Sequence, residues 1–133
     1  VANAIYPKYK EALLNGSANT NMSSGTVKIA LVDTGTYTYS AAHEFQSSLS
    51  GTVGTAPTLG TKTFTNGAFD CANPTWTAVS GSTAEALVVY IDTGSSATSR
   101  LVAYIDTGVT GLPVTPSGSD ITLAVNASGL FTL

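Results

Sequence analysis

The chain has 133 residues, room for one domain that buries roughly two thirds of its unfolded surface. Hydrophobic residues make up 43% and charged residues only 10%, with a net charge of -3, the reverse of the composition that keeps a chain disordered. Five Lys and Arg, scattered along the sequence, are too few to neutralise the phosphates of a nucleic acid, and the longest apolar run, Ala86 to Ile91, falls far short of the ~20 residues of a membrane span.

The first predicted element is a helix over about Tyr6 to Leu14: Pro7 suits a first turn, Ile5, Tyr9 and Leu13 recur at helical spacing, and Asn15-Gly16 supplies a stop. Asn15 to Gly25 is rich in Ser, Asn and Gly and reads as a flexible link, so residues 1–25 are expected to form a helical arm and tether, and residues 26–133 a β body. Thr26 to Val32 alternates in polarity and reads as a half-buried strand that turns at Asp33 to Gly35. Tyr37 and Tyr39 share one face of an extended piece, and Ser40 suits the cap of a short helical turn reaching Glu44 and Phe45. Asn66-Gly67 lies between two alternating segments within Thr61 to Cys71, a strong hairpin signal. Pro74 marks a strand start or edge ahead of Thr75 to Val79.

The most informative stretch is a near-repeat. Leu87-Val88-Val89-Tyr90-Ile91-Asp92-Thr93-Gly94 returns as Leu101-Val102-Ala103-Tyr104-Ile105-Asp106-Thr107-Gly108, with a small polar connection between the copies. The spacing predicts an antiparallel hairpin whose strands are apolar on both faces, so each face needs a cover. Asp120 to Val125 and Leu130 to Leu133 bring the total to seven to nine short strands, an all-β fold of the small β-sandwich or jelly-roll-like barrel type with one N-terminal helix.

Several motifs invite chemistry. Asp-Thr-Gly occurs at Asp33, Asp92 and Asp106, and Tyr90 to Ser96 is similar to the active-site run of aspartic proteases, which need two such carboxylates sharing a proton. No glycine follows two apolar residues downstream, as retroviral-type proteases require, and the favoured reading is three strand-ending turns. His43-Glu44 begins a zinc-protease pattern, but Ser47 stands where the second His belongs and His43 is the only histidine. The lone Cys71 permits no internal disulfide; pairing it with His43 is a nucleophile reading, and a buried inert thiol in a hairpin strand is favoured over it. Asp33, Asp92, Asp106 and Asp120 lack the spacing of a calcium loop. Asn21 and Asn126 fall in glycosylation sequons, which carry little weight because Val1 to Asn3 lacks the features of an export signal. With no P-loop or dinucleotide fingerprint, no cofactor is expected, and neither is enzymatic activity.

Ala2 to Lys10, Ala30 to Gly35, Ser99 to Gly108 and Gly111 to Pro116 together resemble a family of small tailed-bacteriophage proteins, and the similarity runs through nearly the whole chain. The resemblance implies a virion structural protein made in the host bacterial cytoplasm and placed on the phage head. The expected role is capsid decoration, or cement: binding over contacts of the major capsid protein as a homo-oligomer, a trimer by the same resemblance. A tail or neck component is the alternative, and a surface carbohydrate-binding module, with Trp76, Tyr37 and Tyr39 as its stacking platform, comes third. A surface of Thr, Ser and Gly suits a lattice, because covering a hydroxyl that regains a hydrogen bond costs far less than covering a charge. The residues expected at the interface are Ile5, Tyr6, Pro7, Tyr9 and Leu13 of the arm, with Tyr37, Tyr39 and Trp76 of the body.

Overall fold

A computed structural model describes residues 3–133. The β-rich body and single short helix are as expected. Nine strands are found among the described residues: β1 (Ala4–Ile5), β2 (Thr26–Val32), β3 (Thr52–Val53), β4 (Ala68–Phe69), β5 (Thr75–Trp76), β6 (Ala86–Asp92), β7 (Arg100–Ile105), β8 (Ile121–Thr122) and β9 (Phe131–Thr132), with helix α1 (Pro7–Asn15). Five of them form one antiparallel sheet in the order β1-β7-β6-β2-β3. The second layer is not a matching sheet. It consists of two antiparallel ribbons, β4 with β9 and β5 with β8, joined by long loops.

The near-repeat forms the centre of the sheet. Leu87 pairs with Ile105, Val88 with Tyr104 and Val89 with Ala103; a bulge then shifts the register so that Tyr90 faces Leu101. Val102, left without a partner on β6 by that shift, accepts a 2.9 Å bond from the Tyr6 N–H. Every residue from Ala86 to Ile91 and from Arg100 to Ile105 is buried within this single chain. Both covers are therefore supplied internally, and the hairpin needs no neighbouring subunit to complete it. On the face carrying Tyr104 and Val88, the rings of Tyr37 and Tyr39 lie 6.4 and 5.3 Å from Tyr104. The ribbons and their loops add Leu59, Phe69, Trp76, Val79, Ile121 and Leu123 to the same hydrophobic cluster.

Helix α1 begins and ends within a residue of its expected bounds. Pro7 occupies the first turn, and Gly16 closes the helix in the left-handed conformation at φ 64°, where its N–H reaches back to the last carbonyls. The helix is not a detached arm. β1 pairs with β7, Tyr6 is fully buried, and Tyr9 and Ala12 face the core, contributing about 1.5 to 3 kcal/mol for each large apolar side chain removed from water. Val1 and Ala2, the first residues of the expected arm, lie outside the described residues.

Nor is the stretch after the helix a free link. The Tyr9 hydroxyl donates to the Thr20 carbonyl (3.0 Å), Arg100 Nε donates to the Ala18 carbonyl (3.1 Å), and Lys62 Nζ donates to the carbonyls of Met22 (2.7 Å) and Gly25 (2.8 Å). Met22 is buried beneath it. A polar composition suggested flexibility; three long-range donors satisfy the backbone instead, the accounting that every ordered loop must meet.

Both long edges of the sheet are covered by short pieces of irregular chain. Beside β7, Leu101 N–H bonds the Glu44 carbonyl and Gln46 N–H bonds the Ser99 carbonyl; beside β2, Ile29 N–H bonds the Pro57 carbonyl and Leu59 N–H bonds the Val27 carbonyl. Such covering removes the open backbone row through which sheets aggregate.

The turn chemistry is mostly as read. Asn66 and Gly67 take φ of 55° and 80°, and Thr63 and Asp70 exchange both backbone bonds across the reversal. The ladder stops there, because Phe69 pairs with Phe131 of β9 instead. The 37–40 segment is not a strand, and the helical turn expected after Ser40 shortens to one hydrogen-bonded turn, closed by the His43 N–H on the Ser40 carbonyl at 3.1 Å. Ser40 Oγ accepts the Ala42 N–H, while the 3-10 helix lies further on, at Gln46–Ser48.

Candidate assembly interface

The three Asp-Thr-Gly motifs end strands and do not converge. Asp33 Oδ1 accepts the Gly35 N–H at 2.8 Å, and Asp92 Oδ1 accepts the Gly94 N–H at 3.1 Å. The third turn is held from outside: Asn3 Oδ1 accepts the N–H groups of Asp106 and Thr107 at 2.8 and 3.0 Å. Because β2 and β6 are antiparallel with Thr26 opposite Asp92, Asp92 lies at the end of the sheet opposite Asp33. Asp106 shares the Asp33 end, but β6 separates β7 from β2, two strand spacings or roughly 10 Å. No shared-proton dyad forms within the chain. Asp92 is also held below the usual carboxylate range, chiefly by the Gly94 N–H and further by Lys28, 3.3 Å away, whereas a dyad needs one carboxylate raised.

No group of three His, Cys, Asp or Glu side chains able to hold a metal occurs among the described residues, and Asp120 caps the Ala78 N–H. The Cys71 thiol is buried, and burial, with Asp70 beside it, pushes its pKa up to about 11. No hydrogen bond links it to His43, whose Nδ1 lies 2.8 Å from the Tyr37 hydroxyl. Asn21 and Asn126 cap their own turns through bonds from Ser23 and Ser128.

The residues expected at an interface divide by exposure. Tyr6, Tyr9, Tyr37 and Trp76 are in the core at 0%, 4%, 2% and 0% exposure, so they contact this chain and present no platform for a sugar. Tyr6 and Tyr37 are joined hydroxyl to hydroxyl at 2.8 Å, and burial raises the pKa of both phenols. The Trp76 indole Nε1 has no hydrogen-bond partner among the described residues. Ile5, Leu13 and Tyr39 are half-buried, and Pro7 is exposed.

The exposed apolar surface lies elsewhere. Leu14, Leu133 and Phe64 are 90%, 62% and 39% exposed. Phe64 and Leu133 line an open groove of about 260 Å³ with Leu13 and Tyr9 of α1, Met22 of the following loop, and Phe69 and Phe131 of the first ribbon. The rings of Phe64, Phe69 and Phe131 pack in series, 5.6 and 5.3 Å between centroids. Sequence reading missed this groove because its walls come from four separate segments, and only the high exposure of large apolar side chains signals it.

No family model matches the chain, and no curated protein is found similar to it. No helix among the described residues is long and apolar enough to cross a membrane.

Proposed function

We propose that this chain is a structural component of a tailed-bacteriophage particle, a capsid decoration protein that seats its apolar groove against contacts of the major capsid protein. One observation carries this reading. A domain whose sheet edges are covered and whose core is complete nevertheless exposes Phe64 and Leu133 along one continuous apolar groove. Isolated exposed apolar residues are ordinary, whereas a contiguous patch marks an interaction site.

The charge pattern supports a role in assembly. Lys28 pairs with Asp92, Arg100 with Glu44 and Lys8 with Glu11, so much of the small complement of charge is spent within the chain. The surface left over is largely Ser, Thr and Gly, cheap to cover in many copies. The resemblance of the sequence to small phage proteins supplies the particle and the trimeric association. In this arrangement the groove, not an N-terminal arm, makes the contact.

The position of this chain's density in a reconstruction of the intact particle tests the proposal. Density over contacts between major capsid subunits is expected. Density confined to the tail or neck contradicts the head role, and absence from the particle contradicts the whole reading.

A further inference from the structure

We infer that Lys62 is a latch that sets the width of the apolar groove, holding the 20–25 loop against the turn that carries Phe64. The inference stands on the geometry of the groove and not on what the groove binds. One wall of the groove is the loop, through Thr20, Met22 and Ser23; the facing wall is the 64–69 turn and strand, through Phe64, Gly67 and Phe69. Lys62 is the one residue that bridges them by hydrogen bonds among the described residues. Its ammonium donates to three loop carbonyls, those of Met22 (2.7 Å), Gly25 (2.8 Å) and Ser23 (3.3 Å).

The geometry is that of a tethered cation in a ring of carbonyls. An ammonium has three hydrogens and no acceptor, so three carbonyl oxygens satisfy it fully, and none of its hydrogen bonds is to a carboxylate. The other long-range ties hold only the first half of the loop: Tyr9 and Arg100 bond Thr20 and Ala18, and Asn19 reaches the Thr98 carbonyl. The second half has its own internal turn, in which Asn21 Oδ1 accepts from Ser23 and Ser24 and the Asn21 carbonyl accepts from Gly25. That turn is a compact unit anchored across the groove by Lys62. The backbone just before the latch is unusual too. Thr61 takes φ of 52°, a left-handed conformation that β-branched residues rarely adopt and that persists only where surrounding contacts over-determine it. Loss of the ammonium's charge and hydrogens therefore releases the Met22 wall and widens the groove while the sheet stays intact.

Two measurements on the full chain test the latch. In the unaltered protein, reductive methylation of amines followed by peptide mass analysis should modify Lys62 at least about tenfold more slowly than Lys10, whose ammonium has no hydrogen-bond partner among the described residues. Equal reactivity overturns the inference. In Lys62→Met, which keeps the apolar stem, hydrogen exchange of the Ser23, Ser24 and Gly25 amides should quicken about tenfold or more, with anilinonaphthalene sulfonate fluorescence rising as the groove opens. Methylammonium should partly restore protection, and tetramethylammonium at equal ionic strength, which has no N–H to donate, should not. Unchanged exchange, or equal restoration by both cations, overturns it. If Lys62→Met fails to fold, the methylation comparison still decides.

Discussion

The hydroxyl of Tyr6 lies 2.8 Å from that of Tyr37, which in turn lies 2.8 Å from His43 Nδ1, so the junction of β1 and α1 is bonded to the loop after β2 inside the core. The N-terminal segment is thereby part of the fold it was expected to reach away from. Tyr6→Phe should cost about 1 kcal/mol, the value of one buried hydrogen bond, whereas Tyr6→Ala should cost about 3 to 5 kcal/mol by leaving a cavity. Deleting residues 1–15 should unfold the body. Urea denaturation followed by the fluorescence of the buried Trp76 checks all three; a truncated chain with an unchanged midpoint contradicts the account.

Asp92 gives a pH signature with a definite sign. Its folded pKa is lowered below the usual 3.8 by the Gly94 N–H, by Lys28 and by Ser99, so its contribution is present above the ordinary carboxylate range and is lost as pH falls through the folded value. Asp92→Asn should reduce stability at pH 7 by about 1 kcal/mol and flatten the acid limb of the stability curve below about pH 4. Denaturation midpoints measured between pH 7 and pH 2 should converge for the two proteins at the acid end. A constant gap over that range contradicts the assignment.

Cys71 should be silent in the folded state. With its pKa pushed up to about 11 by burial, the thiol stays protonated at pH 8, and its stabilising contribution is complete below the ordinary value of 9.0 and fades as pH rises through the folded one. Iodoacetamide labelling at pH 8 should follow the global unfolding rate as urea is varied. Rapid labelling without denaturant would show an accessible thiolate and reopen the nucleophile reading.

The legible parts of the fold are those whose signal is local. Pro7 and Gly16 bracket α1, the repeated apolar octets mark β6 and β7, and the Asp-Thr-Gly turns follow from side-chain bonds two residues along the chain. What escaped reading depends on partners distant in sequence. The 17–25 loop has the composition of a linker and is ordered by Lys62 and Arg100, tens of residues away. β3, β4, β5, β8 and β9 are two residues each, too short for any periodicity to mark their bounds. Trp76 and Tyr37 looked like surface aromatics because their covers, the second ribbon and the N-terminal segment, are assembled only by the tertiary fold. The groove is the extreme case, since Leu13, Met22, Phe64 and Leu133 share no pattern along the chain.

The central claim, that the groove seats this chain on a capsid, is tested most directly by co-sedimentation with purified expanded capsids of the phage. Phe64→Ser combined with Leu133→Ser removes two groove-lining side chains at 39% and 62% exposure, and the urea midpoint followed by Trp76 fluorescence checks that the double variant is folded. The unaltered chain should bind saturably at a fixed ratio to the major capsid protein, and the double variant at least about tenfold more weakly, a loss of about 1.4 kcal/mol. A native chain that fails to bind, or a folded double variant that binds as tightly as the native chain, contradicts the account.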